Sequence, residues 1–118
     1  MNMSSPIPKD EQLRALASGL TAFCHLIEEH TGSPIKGDFR QYASVTKAEL
    51  TEYLRHNPEM ARKHLISEDE ALQLHDHPVL LADADEWLVC WMDHGRKTNK
   101  SYFNDIHEAA ANFLMAYW

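Results

Sequence analysis

Six consecutive residues in the C-terminal third of this 118-residue chain, Trp87 to Met92, are all apolar. A strand with one face in water alternates apolar and polar residues, whereas a strand that is apolar at every position is covered on both faces. We therefore predict that Trp87 to Met92 forms the central strand of a small sheet. Any fold for this chain must cover both sides of that strand.

Shorter strands are predicted before and after this segment. Val79 to Ala82 precedes it, and Asp83-Ala84-Asp85 forms the connecting turn. The polar stretch Asp93 to Lys100 is predicted to be a loop that leads to a short strand at Ser101 to Phe103. Together these segments predict a small antiparallel β-meander.

Helical periodicity marks most of the remaining chain. Apolar residues recur every three or four positions from Leu13 to Ile27, which predicts one long amphipathic helix beginning after Pro8 and ending near Gly32. Gly19 lies inside this helix, where it is either tolerated or marks the close approach of a neighbouring element.

Capping signals define the shorter helices. A Ser, Thr or Asp followed three residues later by Glu satisfies two free amide groups at a helix start. An Asn cap followed by Pro also indicates a helix start, because Pro is favoured at the first helical position, where its missing N–H would have no partner. The predicted starts are Thr46 with Glu49, Asn57 with Pro58, Ser67 with Glu70, and Asp105 with Glu108. The last of these helices is predicted to extend through Tyr117.

This order of elements predicts an α+β fold in which N-terminal helices precede the meander and the sheet packs against the first and last helices. The length fits a single domain over residues 1–118. No apolar run approaches the roughly 20 residues of a membrane-spanning helix, and Met1 to Lys9 lacks a secretory signal. We expect a cytoplasmic protein in which Cys24 and Cys90 are reduced, buried thiols.

Negative charge is concentrated in one segment. Ser67 to Glu86 contains seven of the 18 acidic residues and neither Lys nor Arg, so the rest of the chain carries 11 acids and 11 bases. The net charge of −7 therefore arises in this segment. Such a charge excess attracts basic partners and repels phosphate, so direct nucleic-acid binding is not expected, even though Thr46 to Leu65 contains a helix pair with local basic residues.

Catalytic and cofactor-binding motifs are not apparent. His75, Asp76 and His77 could share a cation with Asp83 or His94, but their spacing matches no established metal motif, and exposed histidines in a polar connection explain them more simply. Adjacent helical residues point about 100° apart, so Cys24 and His25 cannot form a nucleophile and base pair. We predict no enzymatic activity, no metal and no cofactor.

The C-terminal third contains a strand beginning with Trp, a charged turn with Gly, a Phe, and a helix with a Glu-Ala pair. In this chain these features are Glu86 to Trp91, Asp93-His94-Gly95-Arg96, Tyr102-Phe103, His107 to Ala110, and Phe113-Leu114. With these features the segment resembles small immunity proteins of bacterial toxin systems, including those of contact-dependent growth inhibition. The resemblance implies a cytoplasmic chain that binds and neutralises a cognate toxin, in many cases a nuclease with a basic cleft.

Charge and resemblance together predict a partner-binding surface on the acidic segment, with a basic toxin domain as partner. A Trp and an Arg are added because such residues often dominate interface energies. The predicted contact residues are Glu68, Asp69, Glu70, Asp76, Asp83, Asp85, Glu86, Trp87 and Arg96. The basic cluster Arg96, Lys97 and Lys100 offers a second patch of opposite sign. The alternative is a small regulatory or adaptor module unrelated to toxins, and the sequence leaves the oligomeric state open.

Overall fold

The computed structural model describes residues 7–33 and 39–116. Six α-helices and three strands occur in these residues, with a short 3₁₀ helix at Phe39–Tyr42. In chain order they are α1 (Lys9–Ser18), α2 (Leu20–Thr31), α3 (Lys47–His56), α4 (Pro58–Arg62), α5 (Glu68–Leu72), β1 (His77–Asp83), β2 (Glu86–Asp93), β3 (Arg96–Phe103) and α6 (Ile106–Leu114). The α+β class and the antiparallel meander are confirmed.

The all-apolar segment lies in β2, which is the middle strand of the sheet order β1-β2-β3. Alternate side chains of β2 enter two separate cores. Val89 and the half-buried Trp87 join the main core, whereas Leu88, Cys90 and Met92 join a smaller one. The prediction of a central strand covered on both faces is therefore confirmed, and the absence of alternation in its sequence follows from burial on both sides.

We call the two surfaces of the sheet the α6 face and the α5 face. The α6 face carries Leu80, Val89 and Phe103 and packs chiefly against α6. The α5 face packs against the short helix α5, whose Ala71 is fully buried in the smaller core, and Ile66 and Leu74 pack against that core. Helix α1 was expected on the sheet, but it packs mainly against α2 and α3, so it forms an outer layer.

The prediction of one long N-terminal helix was wrong. The chain reverses at Gly19, so that α1 and α2 pack against each other and the His30 ring nitrogen Nε2 lies 3.4 Å from Oε1 of Glu11. Gly19 has φ 129° and ψ 166°, a region that only glycine adopts readily. Apart from Gly19 and its two neighbours in the chain, no described residue has an atom within 4 Å of the position that a Cβ would take, so the backbone conformation, and not a close neighbour, requires glycine here.

The third strand is longer than predicted. The polar stretch Asp93 to Lys100 was expected to be a loop, but β3 begins at Arg96 and only His94 and Gly95 form the turn. Both turn residues have positive φ, at 52° and 81°, as a type I′ hairpin turn requires. The basic residues Arg96, Lys97 and Lys100 therefore lie on a strand.

Helix capping follows the sequence closely. Thr46 with Glu49 and Ser67 with Glu70 form the predicted capping boxes. Asn57 makes no side-chain cap bond, because its amide donates to the Tyr53 carbonyl oxygen instead. Asp105 accepts from the backbone N–H of His107, without the reciprocal bond expected from Glu108. Helix α6 ends at Leu114, and Tyr117 lies outside the described residues.

Both cysteines are unpaired thiols, as predicted, although Cys24 is only half-buried whereas Cys90 is buried. Of the helices in the described residues, none combines the length and the apolar composition that a membrane crossing requires.

We expect Gly19→Ala to reduce the free energy of unfolding by about 1–3 kcal/mol, because an L-alanine is strained at this φ and ψ. Urea denaturation measures the change. Ser18→Ala, at the exposed preceding position, is the control and should change stability by less than about 0.5 kcal/mol. Equal stabilities of the two variants would contradict the helix reversal at Gly19.

Asp105→Ala should cost about 1–2 kcal/mol at neutral pH, since Asp105 caps α6 and also accepts a 2.6 Å hydrogen bond from Nη2 of Arg55. Partial burial opposes ionisation, but the bonds from Arg55 and His107 outweigh it and hold the pKa of Asp105 below its usual range. A depressed folded-state pKa means that the stabilisation is complete above the unfolded pKa of about 3.9 and is lost as the pH falls below it.

Unfolding curves of the wild type and Asp105→Ala from pH 7 to pH 2 test this expectation. The stability difference should be constant above about pH 5 and should shrink below about pH 4. The exposed turn residue Asp85 supplies the control substitution Asp85→Ala, which should stay within about 0.5 kcal/mol of the wild type. A difference that is the same at pH 3 and pH 7 would show that the carboxylate charge contributes nothing.

Candidate functional site

The acidic segment does not form one continuous strip. Strand β1 runs through it, with Asp76 just before its first residue and Asp83 at its last. Six steps along a strand span roughly 20 Å, and the intervening Val79 to Leu81 are buried. The fold therefore separates the predicted contact residues into groups at opposite ends of the sheet.

Three acidic residues lie together at the turn between β1 and β2. Asp83 and Glu86 are paired across the hairpin, and Asp85 is in the two-residue turn between them. All three are exposed, and none forms an ion pair with a residue in the part of the chain that the structure describes. We call Asp83, Asp85 and Glu86 the acidic tip. Three carboxylates this close create a strong local negative potential, although Lys97 is near enough for its charge to interact with Asp83.

The backbone of the tip is constrained as well as charged. Ala84 has φ 54°, in the left-handed region that costs an L-residue roughly 1–2 kcal/mol. The two-residue connection between paired strands fixes the direction in which the tip projects. The acidic tip is therefore carried on a short, defined turn at the end of a hairpin.

An exposed aromatic residue lies beside the tip on the α5 face. Tyr102 is directly opposite Leu88 in the register, and Glu86 is two residues before Leu88 on the same side of β2. Diagonal cross-strand neighbours of this kind lie about 7–8 Å apart. Tyr102 is 47% exposed and Leu88 only 1%, so the aromatic ring borders the buried core and also faces solvent. We call the acidic tip together with Tyr102 the tip surface.

Trp87 does not contribute to this surface. Its register partner is Phe103, and both residues belong to the α6 face, where Trp87 packs half-buried against the main core. The structure thus places Trp87 on the opposite side of the sheet from Asp83, Glu86 and Tyr102. Its aromatic ring is chiefly a packing element.

The three acids of α5 have local roles or stand alone. Both carboxylate oxygens of Glu68 contact Nζ of Lys97, at 2.9 and 2.7 Å, and this bond raises the pKa of Lys97. Glu70 forms the capping box with Ser67. Asp69 is exposed and has no ion pair among the residues described. Two of these three carboxylates are therefore already engaged within the chain.

The remaining predicted contacts lie at the far end of the sheet. Asp76 precedes β1 and Arg96 begins β3, both next to the His94-Gly95 turn. The rings of His75 and His94 approach to 5.3 Å between centroids. Acidic, basic and imidazole groups are mixed here, so this end lacks the single sign of charge that the acidic tip has.

The histidine cluster does not have the geometry of a metal site. No three His, Cys, Asp or Glu side chains in residues 7–33 and 39–116 are arranged to hold a metal ion. Nδ1 of His77 lies 2.6 Å from the carbonyl oxygen of Pro78, so this nitrogen is directed at the backbone.

Two further groups bear on chemical reactivity. Burial, with a smaller contribution from Glu28, raises the pKa of the Cys24 thiol, which disfavours the nucleophilic thiolate. His64 lines a cleft of about 380 Å³ at the α1–α2 junction, and its Nε2 donates to the carbonyl oxygen of Ala17 at 2.7 Å. Burial lowers the pKa of His64. Both groups are held in their neutral forms by the packing around them.

Tyr102 was missed by the sequence interpretation. The sequence predicts Tyr102 in a short strand. Its position next to Glu86 depends on a β-bulge, which no local sequence pattern predicts. Asn99 and Lys100 of β3 both lie opposite Cys90, so the register on the two sides of the bulge differs by one residue. A sequence signal that could have pointed to Tyr102 is its position as an aromatic residue in a largely polar strand.

Substitution of the cross-strand pair tests whether Tyr102 is a surface residue. We expect Leu88→Ala to reduce the free energy of unfolding by about 2–5 kcal/mol because it empties a buried site. Tyr102→Ala should cost less than about 1 kcal/mol, the range of an exposed cross-strand pair. Urea denaturation of both variants measures these changes. A large loss of unfolding free energy on Tyr102→Ala would mean that the ring is part of the core.

No protein-family model matches the chain, and searches of curated proteins and of solved structures found no significant match. What this chain binds must therefore be inferred from its own charge and geometry.

Proposed function

We propose that this chain is an immunity protein that binds a cognate bacterial toxin domain in the cytoplasm and neutralises it without chemistry of its own. The acidic tip would enter a basic active cleft, as expected if the toxin is a nuclease. The observation that carries the proposal is the set of three exposed carboxylates, Asp83, Asp85 and Glu86, without ion pairs to described residues and beside the exposed ring of Tyr102.

Electrostatics favours this role for the tip. A nuclease cleft is basic because its substrate is a polyanion, and clustered carboxylates can replace the phosphate charges there. Complementary potentials raise association rates from about 10⁵–10⁶ toward 10⁸–10⁹ M⁻¹s⁻¹ at low salt. Rapid association suits an inhibitor that must act before the toxin cleaves its substrate.

Tyr102 would supply the part of the binding energy that charge does not. Each ion pair between an exposed carboxylate and a cation of the partner contributes little binding energy, because water and salt screen it. Tyr is among the residues that most often dominate protein interfaces, since it buries a large ring at a small entropy cost and still offers a hydroxyl. A charged turn next to a half-exposed tyrosine combines long-range attraction with a short-range anchor.

The gene neighbourhood and a growth assay test the proposed function. An immunity gene is expected directly downstream of a toxin-bearing gene. The C-terminal domain encoded immediately upstream should stop growth when produced alone in a bacterial host, and co-production of this chain should restore growth. If that domain binds the chain but is harmless, the chain is an adaptor module, and if it neither harms nor binds, the proposal fails.

Neutralising the acidic tip should slow association. We expect the variant Asp83→Asn, Asp85→Asn, Glu86→Gln to lower the association rate constant with the upstream-encoded domain by about tenfold or more at low salt. The rate should also depend less steeply on salt than that of the wild type, because fewer charges are screened. Stopped-flow or surface-binding kinetics at several salt concentrations measure both quantities.

A matched variant on α1 and α2 distinguishes the effect of the acidic tip from the effect of net charge. Asp10→Asn, Glu28→Gln, Glu29→Gln also removes three negative charges, but from exposed positions on these two helices. Its association rate should fall by less than about threefold. Equal slowing by the two triple variants would show that net charge, and not the acidic tip, determines binding.

A further inference from the structure

Strand β3 is an open edge of the sheet. It has eight residues and pairs with β2 on one side only. In the described part of the chain, no backbone hydrogen bond reaches β3 from outside the hairpin. The other edge is different, because the Ile66 N–H donates to the Leu80 carbonyl oxygen of β1 at 3.3 Å. Unpaired N–H and C=O groups on β3 are thus available to another chain.

This edge has a distinct charge. Residues 96–103 contain Arg96, Lys97 and Lys100 and no acidic residue. Lys97 is engaged by Glu68, whereas Arg96 and Lys100 are exposed and have no ion pair with any residue the structure describes. Arg96 is the register partner of Asp93 and lies on the α6 face, whereas Lys100 lies opposite Cys90 on the α5 face. An incoming strand would therefore meet one such cation on each face of the sheet, which favours a segment carrying carboxylates.

The edge also leads to the tip surface. Phe103, the last residue of β3, is opposite Trp87, which directly follows the acidic tip. A segment lying along β3 would pass Arg96 and Lys100 and end beside Tyr102, and the partner would have to continue across the end of the sheet to reach Glu86 and Asp83. A partner that uses both surfaces would need acidic residues beside the strand and basic residues beyond its end.

We propose that β3 binds an extended, acidic segment of the partner protein by strand addition, extending the three-stranded sheet to four strands. The segment's backbone would pair with the open edge, and its carboxylates would lie beside Arg96 and Lys100. This inference rests on the proposed function in one respect, namely that the segment belongs to the protein that the acidic tip engages. Main-chain bonds would give affinity and the charge pattern would give specificity.

A protective role is the competing explanation. Lysines and bulges on edge strands prevent unwanted pairing, and β3 has both, with Asn99 at φ 53° in its bulge. A purely protective edge would reject every added strand. A recognition edge would accept an acidic strand and reject a basic one.

Two synthetic peptides distinguish these explanations. Both peptides have the length of β3 and blocked ends. One alternates Thr or Val with Glu, and the other alternates Thr or Val with Lys. Titrated into the full ¹⁵N-labelled chain, the Glu peptide should bind at least about fivefold more tightly than the Lys peptide at low salt. It should also slow amide exchange of alternate β3 residues by about tenfold.

Two variants test whether the Glu peptide binds at β3 and not at the acidic tip. Lys100→Glu should remove or reverse the preference for the Glu peptide, with unchanged chemical-shift dispersion as evidence of folding. The triple tip variant Asp83→Asn, Asp85→Asn, Glu86→Gln should bind the Glu peptide at least as tightly as the wild type. No binding of either peptide up to about 1 mM, or binding without protection of β3 amides, would overturn strand addition. Neither result would affect the toxin-domain experiments, which depend on the tip.

Discussion

Burial of β2 on both faces is the constraint on which the rest of the structure depends. With Leu88, Cys90 and Met92 on one side and Trp87 and Val89 on the other, the strand needs two covering layers.

The two layers are unequal. Helices α1 to α4 and α6 build the main core on one side, whereas the other side has only α5 and the residues next to it. A five-residue helix cannot cover the whole face, and Tyr102 lies at the part that stays exposed. The surface we propose for binding is a consequence of this unequal coverage.

The same strand pairing redistributes the charge of the chain. Seven acids that are close in sequence become an acidic tip, a partly engaged helix and a single residue at the far end. Like charges usually spread apart on a surface because their repulsion is unfavourable, yet Asp83, Asp85 and Glu86 remain adjacent on a turn that also holds Ala84 at a positive φ. Strained and charged features that coincide on one loop are typical of functional sites, where other parts of the fold stabilise them.

Much of the fold could be predicted because its signals are local. The apolar run of β2, the capping boxes at Thr46 and Ser67, and the order of helices and strands each depend on residues within a few positions of one another. The α1–α2 reversal could not be read in this way, because Gly19 interrupts an apolar periodicity that continues unchanged on both sides. Helix packing, and not local propensity, decides between a straight helix and a hairpin there.

The candidate site was predictable only in part. The charge of the segment is a property of sequence, and it is the reason why Asp83, Asp85 and Glu86 were among the predicted contact residues. Which acids share a face is a property of register, and a bulge at Asn99 together with a two-residue turn at His94-Gly95 sets the register of β3. These features brought Tyr102 next to Glu86 and joined Glu68 to Lys97, and no pattern along the chain encodes such distant pairs. Trp87 lies on the other face from Glu86 because side chains alternate along β2.

The central claim is that, among the residues that the structure describes, the strongest negative potential lies at the acidic tip beside Tyr102. A titration of the ¹⁵N-labelled chain with hexalysine, at about 10 mM and about 1 M salt, tests it directly, because the Debye length falls from roughly 30 to roughly 3 Å between these conditions. We expect the largest low-salt shifts at residues 83–86 and at Tyr102, and their loss at high salt. Largest shifts along α5, near Asp76, or on the α1–α2 hairpin would contradict the account.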